Sequence, residues 1–137
     1  MKKILRGEIW RVRFDPIEGS EIGRTRPALI LQNDIGNRYA DTTIVAAITA
    51  MVKELPTLVE VEPSRTNGLR RPCAVNLSHI RTISQSRLIA LIGRLEDEYL
   101  LQIKPEKLRS RDAIVHGGLG QLPAGILCWN LLLEAHR

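Results

Sequence analysis

The chain has 137 residues, 44% of them hydrophobic and 26% charged, enough for one domain whose core needs neither a disulfide nor a metal to fold. Aromatic residues make up only 4%, which argues against a surface that binds its ligand through many stacked rings. The net charge is +5, with 15 arginines to 5 lysines, a balance that suits a polyanionic partner or, spread evenly, serves solubility alone.

Cys73 and Cys128 are the only cysteines; they form no C-x-x-C and have no histidine pair beside them, so a reducing cytoplasm is expected and no metal site is. Met1-Lys2-Lys3 runs straight into Arg6, Gly7 and Glu8 without an apolar signal region. The longest uncharged apolar stretch, residues 44–52, is too short to cross a bilayer.

Residues 8–14 alternate: Trp10, Val12 and Phe14 share one face, and Ile9, Arg11 and Arg13 the other. A period of two predicts a half-buried strand. Asp15-Pro16 ends it, because proline has no N–H for a ladder. Residues 17–26, with Gly19 and Gly23 among charged and hydroxyl side chains, read as a long surface loop. The apolar run 27–31 predicts a buried strand, Asn33-Asp34-Ile35-Gly36-Asn37 a turn, and residues 43–49 a β-branched strand.

After a loop at Lys53-Glu54-Leu55-Pro56, residues 57–62 alternate as a fourth strand. Asn67-Gly68 marks a turn in a basic loop carrying Arg65, Arg70 and Arg71. Residues 73–77 predict a fifth strand, 80–83 a short extension, and 87–95 a sixth. Helix is expected only late. Asp97 and Glu98 suit a helix N-terminus, Leu100, Leu101, Ile103 and Leu108 make a rough apolar stripe, and Pro105 kinks or breaks it. Short strands between turns predict a small, strongly bent antiparallel sheet or barrel. In residues 113–137, Gly117, Gly118, Gly120 and Pro123 interrupt any helix, while 124–135 is apolar enough for a short one carrying Trp129. This tail is expected to pack on the sheet; cover for a dimer surface and disorder are the other readings.

Several short motifs stand in a recurring order. They are Arg6-Gly7-Glu8-Ile9-Trp10; Gly19-Ser20-Glu21 before Arg26-Pro27-Ala28-Leu29-Ile30; Gln32-Asn33-Asp34-Ile35-Gly36-Asn37; Val45-Ala46-Ala47-Ile48-Thr49; Leu55-Pro56-Thr57; and Ile80-Arg81-Thr82-Ile83. As an ordered set over about residues 5–110 they resemble the MazF/PemK toxins of type II toxin–antitoxin systems.

The resemblance implies a mainly β fold with a C-terminal helix, an SH3-like, strongly bent antiparallel β-barrel in residues 1–112 with the tail 113–137 beyond it, assembled as a homodimer. It implies a cytoplasmic, sequence-selective endoribonuclease that cuts single-stranded RNA without metal or cofactor, by attack of the ribose 2′-hydroxyl, and is restrained by an acidic antitoxin protein. The alternatives are a non-catalytic, protein-binding toxin of the same fold, such as those that poison gyrase, and an inactive member. Arg26-Pro27 and Thr49 favour the enzyme.

Metal-free cleavage needs the 2′-hydroxyl to lose a proton, the 5′-oxygen to gain one, and charge on the phosphoryl oxygens to be stabilised. The family pattern places its catalytic arginine on Arg26 and its catalytic threonine on Thr49. Arg26, always charged, suits a phosphate clamp better than a general acid. Thr49 can orient the phosphate or the 2′-hydroxyl. Taken alone, an arginine before proline is a surface charge and a threonine ending a strand is structural.

RNA contacts are implied for Ser20, Arg24, Leu55, His79 and Arg81. Ser20 reads equally as a turn serine and Leu55 as core. His79 stands where many relatives carry glutamine, and reads as base-contacting or structural ahead of catalytic. The loop Leu69-Arg70-Arg71-Pro72-Cys73 lacks the carboxylate that some branches of the family place there.

Overall fold

A computed structural model describes residues 3–14, 25–50 and 57–103. Six strands form one antiparallel sheet: β1 (Glu8–Arg13), β2 (Thr25–Ile30), β3 (Thr42–Ala50), β4 (Leu58–Val61), β5 (Cys73–Ser84) and β6 (Leu88–Arg94), in the order β4-β5-β3-β2-β1-β6. Two short helices, α1 (Asp34–Tyr39) and α2 (Asp97–Leu100), complete the described residues. All six expected strands are present, five of them within a residue or two of their expected limits and the fifth longer than expected.

The sheet is covered on both faces. Ile9, Leu29, Leu31, Ile44, Ala46, Val59, Val75 and Leu77 pack on one side. Trp10, Val12, Ala28, Ile30, Val45, Ile83 and Leu88 pack on the other, with Phe14 at the margin. The first strand was expected to be half-buried. Instead Ile9 and Trp10 are both buried, and only Arg11 and Arg13 alternate outward. The reason is placement: β1 lies between β2 and β6 and faces a separate apolar cluster on each side.

The segment expected as a turn is helical. Asn33 caps α1 by accepting from the Gly36 N–H at 2.7 Å, satisfying one of the donors a helix start leaves open. Asn37, inside α1, is buried. Its Oδ1 accepts from the Thr43 hydroxyl (2.6 Å) and from Gln32 Nε2 (3.0 Å), while its amide donates to the Gln32 carbonyl (2.9 Å). Gln85 reaches across from the 3-10 turn Gln85–Arg87 to donate to the carbonyl oxygens of Asn37 and Ala40. The motif Gln32 to Asn37 is therefore a polar clasp holding α1 to β3.

Residues 73–77 and 80–83 belong to one strand rather than a strand and an extension. Its register against β3 jumps: Ala46 faces Ile80, but Ala47 faces Asn76, so Leu77, Ser78 and His79 bulge out opposite no β3 residue.

The loop after β4 turns back to the other edge of the sheet. Thr66 O accepts from Arg94 N at 2.9 Å. Gly68 adopts φ +73°, and a Cβ there would collide with the Ile92 carbonyl oxygen. Asn67, fully buried, accepts from Ser64 N and Leu69 N and donates to Glu62 O and Glu96 Oε1. Ser64 Oγ donates to Glu96 Oε2 at 2.5 Å. Burial alone would raise the Glu96 carboxyl. Hydrogen bonds from Ser64, its own backbone N–H and Asn67 outweigh that and hold it below the ordinary glutamate value.

The late helix begins at Asp97 as expected but spans a single turn. Tyr99 and Leu100 pack on the core and Ile103 is buried, whereas Leu101 is 61% exposed and leaves the expected stripe. Leu108, Pro105 and the tail 113–137 lie outside the described residues.

Candidate active site

The strand register decides which expected residues meet. Val12 pairs with Arg26, Trp10 with Ala28, Ala28 with Ala47, and Val45 with Arg81. Directly paired residues point to the same side of a sheet, and so do residues two apart on one strand. Phe14, Arg26, Ala47, Thr49 and Arg81 therefore share a face with Val12, Ala28 and Val45. That face is an apolar cluster at one end and a cationic surface at the other.

Phe14, Arg26, Ala47, His79 and Arg81 line a cavity of about 370 Å³. The methyl side chain of Ala47 keeps its middle open. Arg26 and Arg81 are exposed at its rim, and the Arg81 guanidinium lies 5.3 Å from the centre of the Phe14 ring. Such an arrangement holds a cation over the negative face of the ring and limits its rotamers. Among the described residues no carboxylate lines the cavity, so two guanidinium groups and an imidazole border it together, a set that suits phosphate.

Thr49 lies on the same face two residues beyond Ala47, about 7 Å further along β3. It is half-buried and does not line the cavity. Its hydroxyl donates to the neighbouring Ala50 carbonyl at 3.3 Å, a long contact that a better acceptor would displace. Arg26, Thr49, His79 and Arg81 thus stand on one face. Ser20, Arg24 and Leu55 lie outside the described residues. Arg65, Arg70 and Arg71 are exposed on the loop between β4 and β5 and do not line the cavity.

Three contributors were not singled out from the sequence. Phe14 supports Arg81, and its alternation with Trp10 and Val12 was the available signal. Ala47 provides room. Asn76 organises the bulge that carries His79: its Oδ1 accepts from Ser78 N (3.0 Å) and Ser78 Oγ (2.5 Å), and its Nδ2 lies 3.4 Å from His79 Nδ1.

A larger cavity of about 730 Å³ lies beside α1, lined in part by Ile4, Asp34, Arg38, Tyr39 and Gln85. It carries Lys3 and Arg38 but also the Asp34 carboxylate, so its size does not make it the better site for an anion. Burial pushes the Cys73 thiol up, against the lowering pull of Arg71. Among the described residues, no three His, Cys, Asp or Glu side chains cluster, and no helix is long and apolar enough to cross a membrane.

Residues 5–109 match the family described as PemK-like, MazF-like toxin of type II toxin–antitoxin system. The Endoribonuclease EndoA of Bacillus subtilis is 44% identical over 99 residues, which is 71% of this chain and 84% of that protein. The Endoribonuclease MazF of Staphylococcus saprophyticus is 38% identical over 100 residues, 72% of this chain and 82% of that protein. Among solved structures, the Mycobacterium tuberculosis toxin MazF-mt6 has 28% identity and a TM-score of 0.58, covering 80% of this chain and 93% of that one. The MazE–MazF complex (Form-II) of Deinococcus radiodurans has 24% identity and a TM-score of 0.67 over 80% of this chain and 96% of that one, a likeness of fold.

Proposed function

The chain belongs to the PemK/MazF toxin family of type II toxin–antitoxin systems and is an endoribonuclease of the MazF/EndoA type, and on that premise we propose that it cuts single-stranded RNA through Arg26 and Thr49 without a metal. The observation that carries this reading is the convergence of Arg26, His79 and Arg81 on one cavity that, among the described residues, no carboxylate lines, with Thr49 on the same face. The family membership and two curated endoribonuclease relatives weigh against a gyrase-poison or inactive reading.

In this reading the Arg26 guanidinium binds the non-bridging oxygens of the scissile phosphate and stabilises the charge that grows there as the phosphorus becomes five-coordinate. Thr49 Oγ1 gives up its contact with Ala50 to orient the phosphate or the 2′-hydroxyl. The 2′-oxygen bonds to phosphorus as the bond to the 5′-oxygen breaks; the 2′-hydroxyl loses its proton and the 5′-oxygen gains one. The products are a 2′,3′-cyclic phosphate and a 5′-hydroxyl. His79 and Arg81 hold the adjoining nucleotide, and Ser20, Arg24 and Leu55 belong to the same RNA-binding set. Closure of the sheet into an SH3-like barrel, homodimer assembly, a cytoplasmic location and an acidic antitoxin that competes for the cationic face are parts of the same reading.

Incubation with single-stranded RNA in EDTA tests it. Cleavage should persist, leave those two ends, and fail when the cut nucleotide is 2′-deoxy. Loss of cleavage in EDTA, or efficient cutting of the 2′-deoxy substrate, would point to water activated by a metal instead.

A further inference from the structure

The bulge at residues 77–79 fixes more than the position of His79. Ser78 N–H can only donate, so the Asn76 atom that meets it at 3.0 Å must be the amide oxygen. The Ser78 hydroxyl donates to the same oxygen. This leaves the amide nitrogen of Asn76 facing His79 Nδ1 at 3.4 Å. An amide nitrogen only donates, so Nδ1 must accept. A neutral imidazole that accepts at Nδ1 carries its proton on Nε2.

From this chain of contacts we infer that Asn76 is a positioning residue that holds neutral His79 as the Nε2–H tautomer, so that the ring presents a hydrogen-bond donor to an acceptor oxygen of the RNA. The inference rests on the reading of the cavity as the RNA site. Its consequence is chemical. In this tautomer Nε2 has no in-plane lone pair and cannot take the proton of the 2′-hydroxyl; His79 selects or holds substrate rather than acting as the base. The acceptor is a base carbonyl or a phosphate oxygen, and the two sources are separable. Ser78 contributes its backbone N–H as well as its hydroxyl, so the backbone bond alone suffices to orient the Asn76 amide.

Two-bond proton–nitrogen spectra of the ¹⁵N-histidine-labelled protein at about pH 8.5, well above the ordinary histidine value of about 6.5, read the tautomer directly. His79 is identified by the signal that disappears in His79→Gln. Nδ1 is expected to give the unprotonated-nitrogen signal; the reverse pattern overturns the inference. Asn76→Asp is nearly isosteric and still accepts from Ser78, but it turns an acceptor toward Nδ1 and should move the proton there. Ser78→Ala should leave the tautomer as in the unaltered protein. An Asn76→Asp protein that keeps the Nε2–H pattern would remove Asn76 from the role.

The partner is read by titrating short single-stranded 2′-methoxy oligonucleotides, uridine-containing and abasic, which bind without being cut. A shift of the Nε2–H signal with uridine alone assigns a base carbonyl, and a shift with both assigns a phosphate oxygen. No shift with either overturns the donor role. Asn76→Asp should weaken uridine-oligonucleotide binding about tenfold, the loss of one well-placed hydrogen bond. None of these measurements uses cleavage, so a protein that fails to cut RNA would sink the reading of the function while leaving the tautomer result standing.

Discussion

Arg26 and Asn37 are both polar residues in short motifs, yet they stand in opposite surroundings. Arg26 is exposed at the rim of the cavity, on a strand whose neighbours Val12 and Ala28 carry the packing. Arg26→Ala should therefore reduce kcat/KM by roughly 10² to 10³, as loss of one charge-stabilising donor does, with little change in the thermal midpoint. Wild-type cleavage by a folded Arg26→Ala protein would remove Arg26 from the site. The sequence made Arg26 a candidate through the company it keeps, because an arginine before proline carries no chemical signature of its own. It could not bring Arg26 to His79 and Arg81. That meeting depends on which strands pair and in what register, Val12 with Arg26 and Val45 with Arg81, and a period-two pattern within one strand specifies no partner.

At the scale of elements, the strands were legible because β-branched and alternating residues leave a clear period, as in Thr57-Leu58-Val59-Glu60-Val61. The helix α1 was not. Its six residues include Gly36 and Asn37, both turn formers, and a helix this short shows no apolar period. What makes it a helix is tertiary: the Asn33 cap and the bonds from Asn37 to Gln32 and Thr43. Asn37→Ala would leave the fully buried Thr43 hydroxyl without the acceptor it now uses. We expect a loss of about 1–3 kcal/mol in a urea titration, the usual penalty for an orphaned buried polar group. An unchanged midpoint would mean that the clasp contributes nothing. Because α1 does not line the cationic cavity, kcat/KM of the folded fraction should hold.

For the molecule as a whole, the contacts of Glu96 tie stability to pH. Its carboxyl is held below the ordinary glutamate value of 4.5, so the folded chain binds this proton less readily than the unfolded chain does. The contribution is complete above the unfolded value and fades as pH falls through the lower folded one. Chemical denaturation measured across that acid range should show a slope that Glu96→Gln reduces; identical slopes would exclude Glu96 as its source. The strand order has a further effect, on how the enzyme comes into being. β1 finds one of its two neighbours only in β6, where Glu8 meets Arg94 from the far end of the described chain. Pairings so distant in sequence close late, on the millisecond-to-second scale typical of non-local β topologies. A nascent chain leaves the ribosome N-terminus first, at roughly 5–20 residues per second. A chain interrupted before Leu88 has Arg26, Ala47, His79 and Arg81 but no partner for the outer edge of β1, the strand that leads to Phe14 beneath Arg81. Ribonuclease activity should therefore be absent from truncated translation products and appear only after synthesis has passed β6, so that the endoribonuclease stays inert on the ribosome until the partner of its first strand has been made.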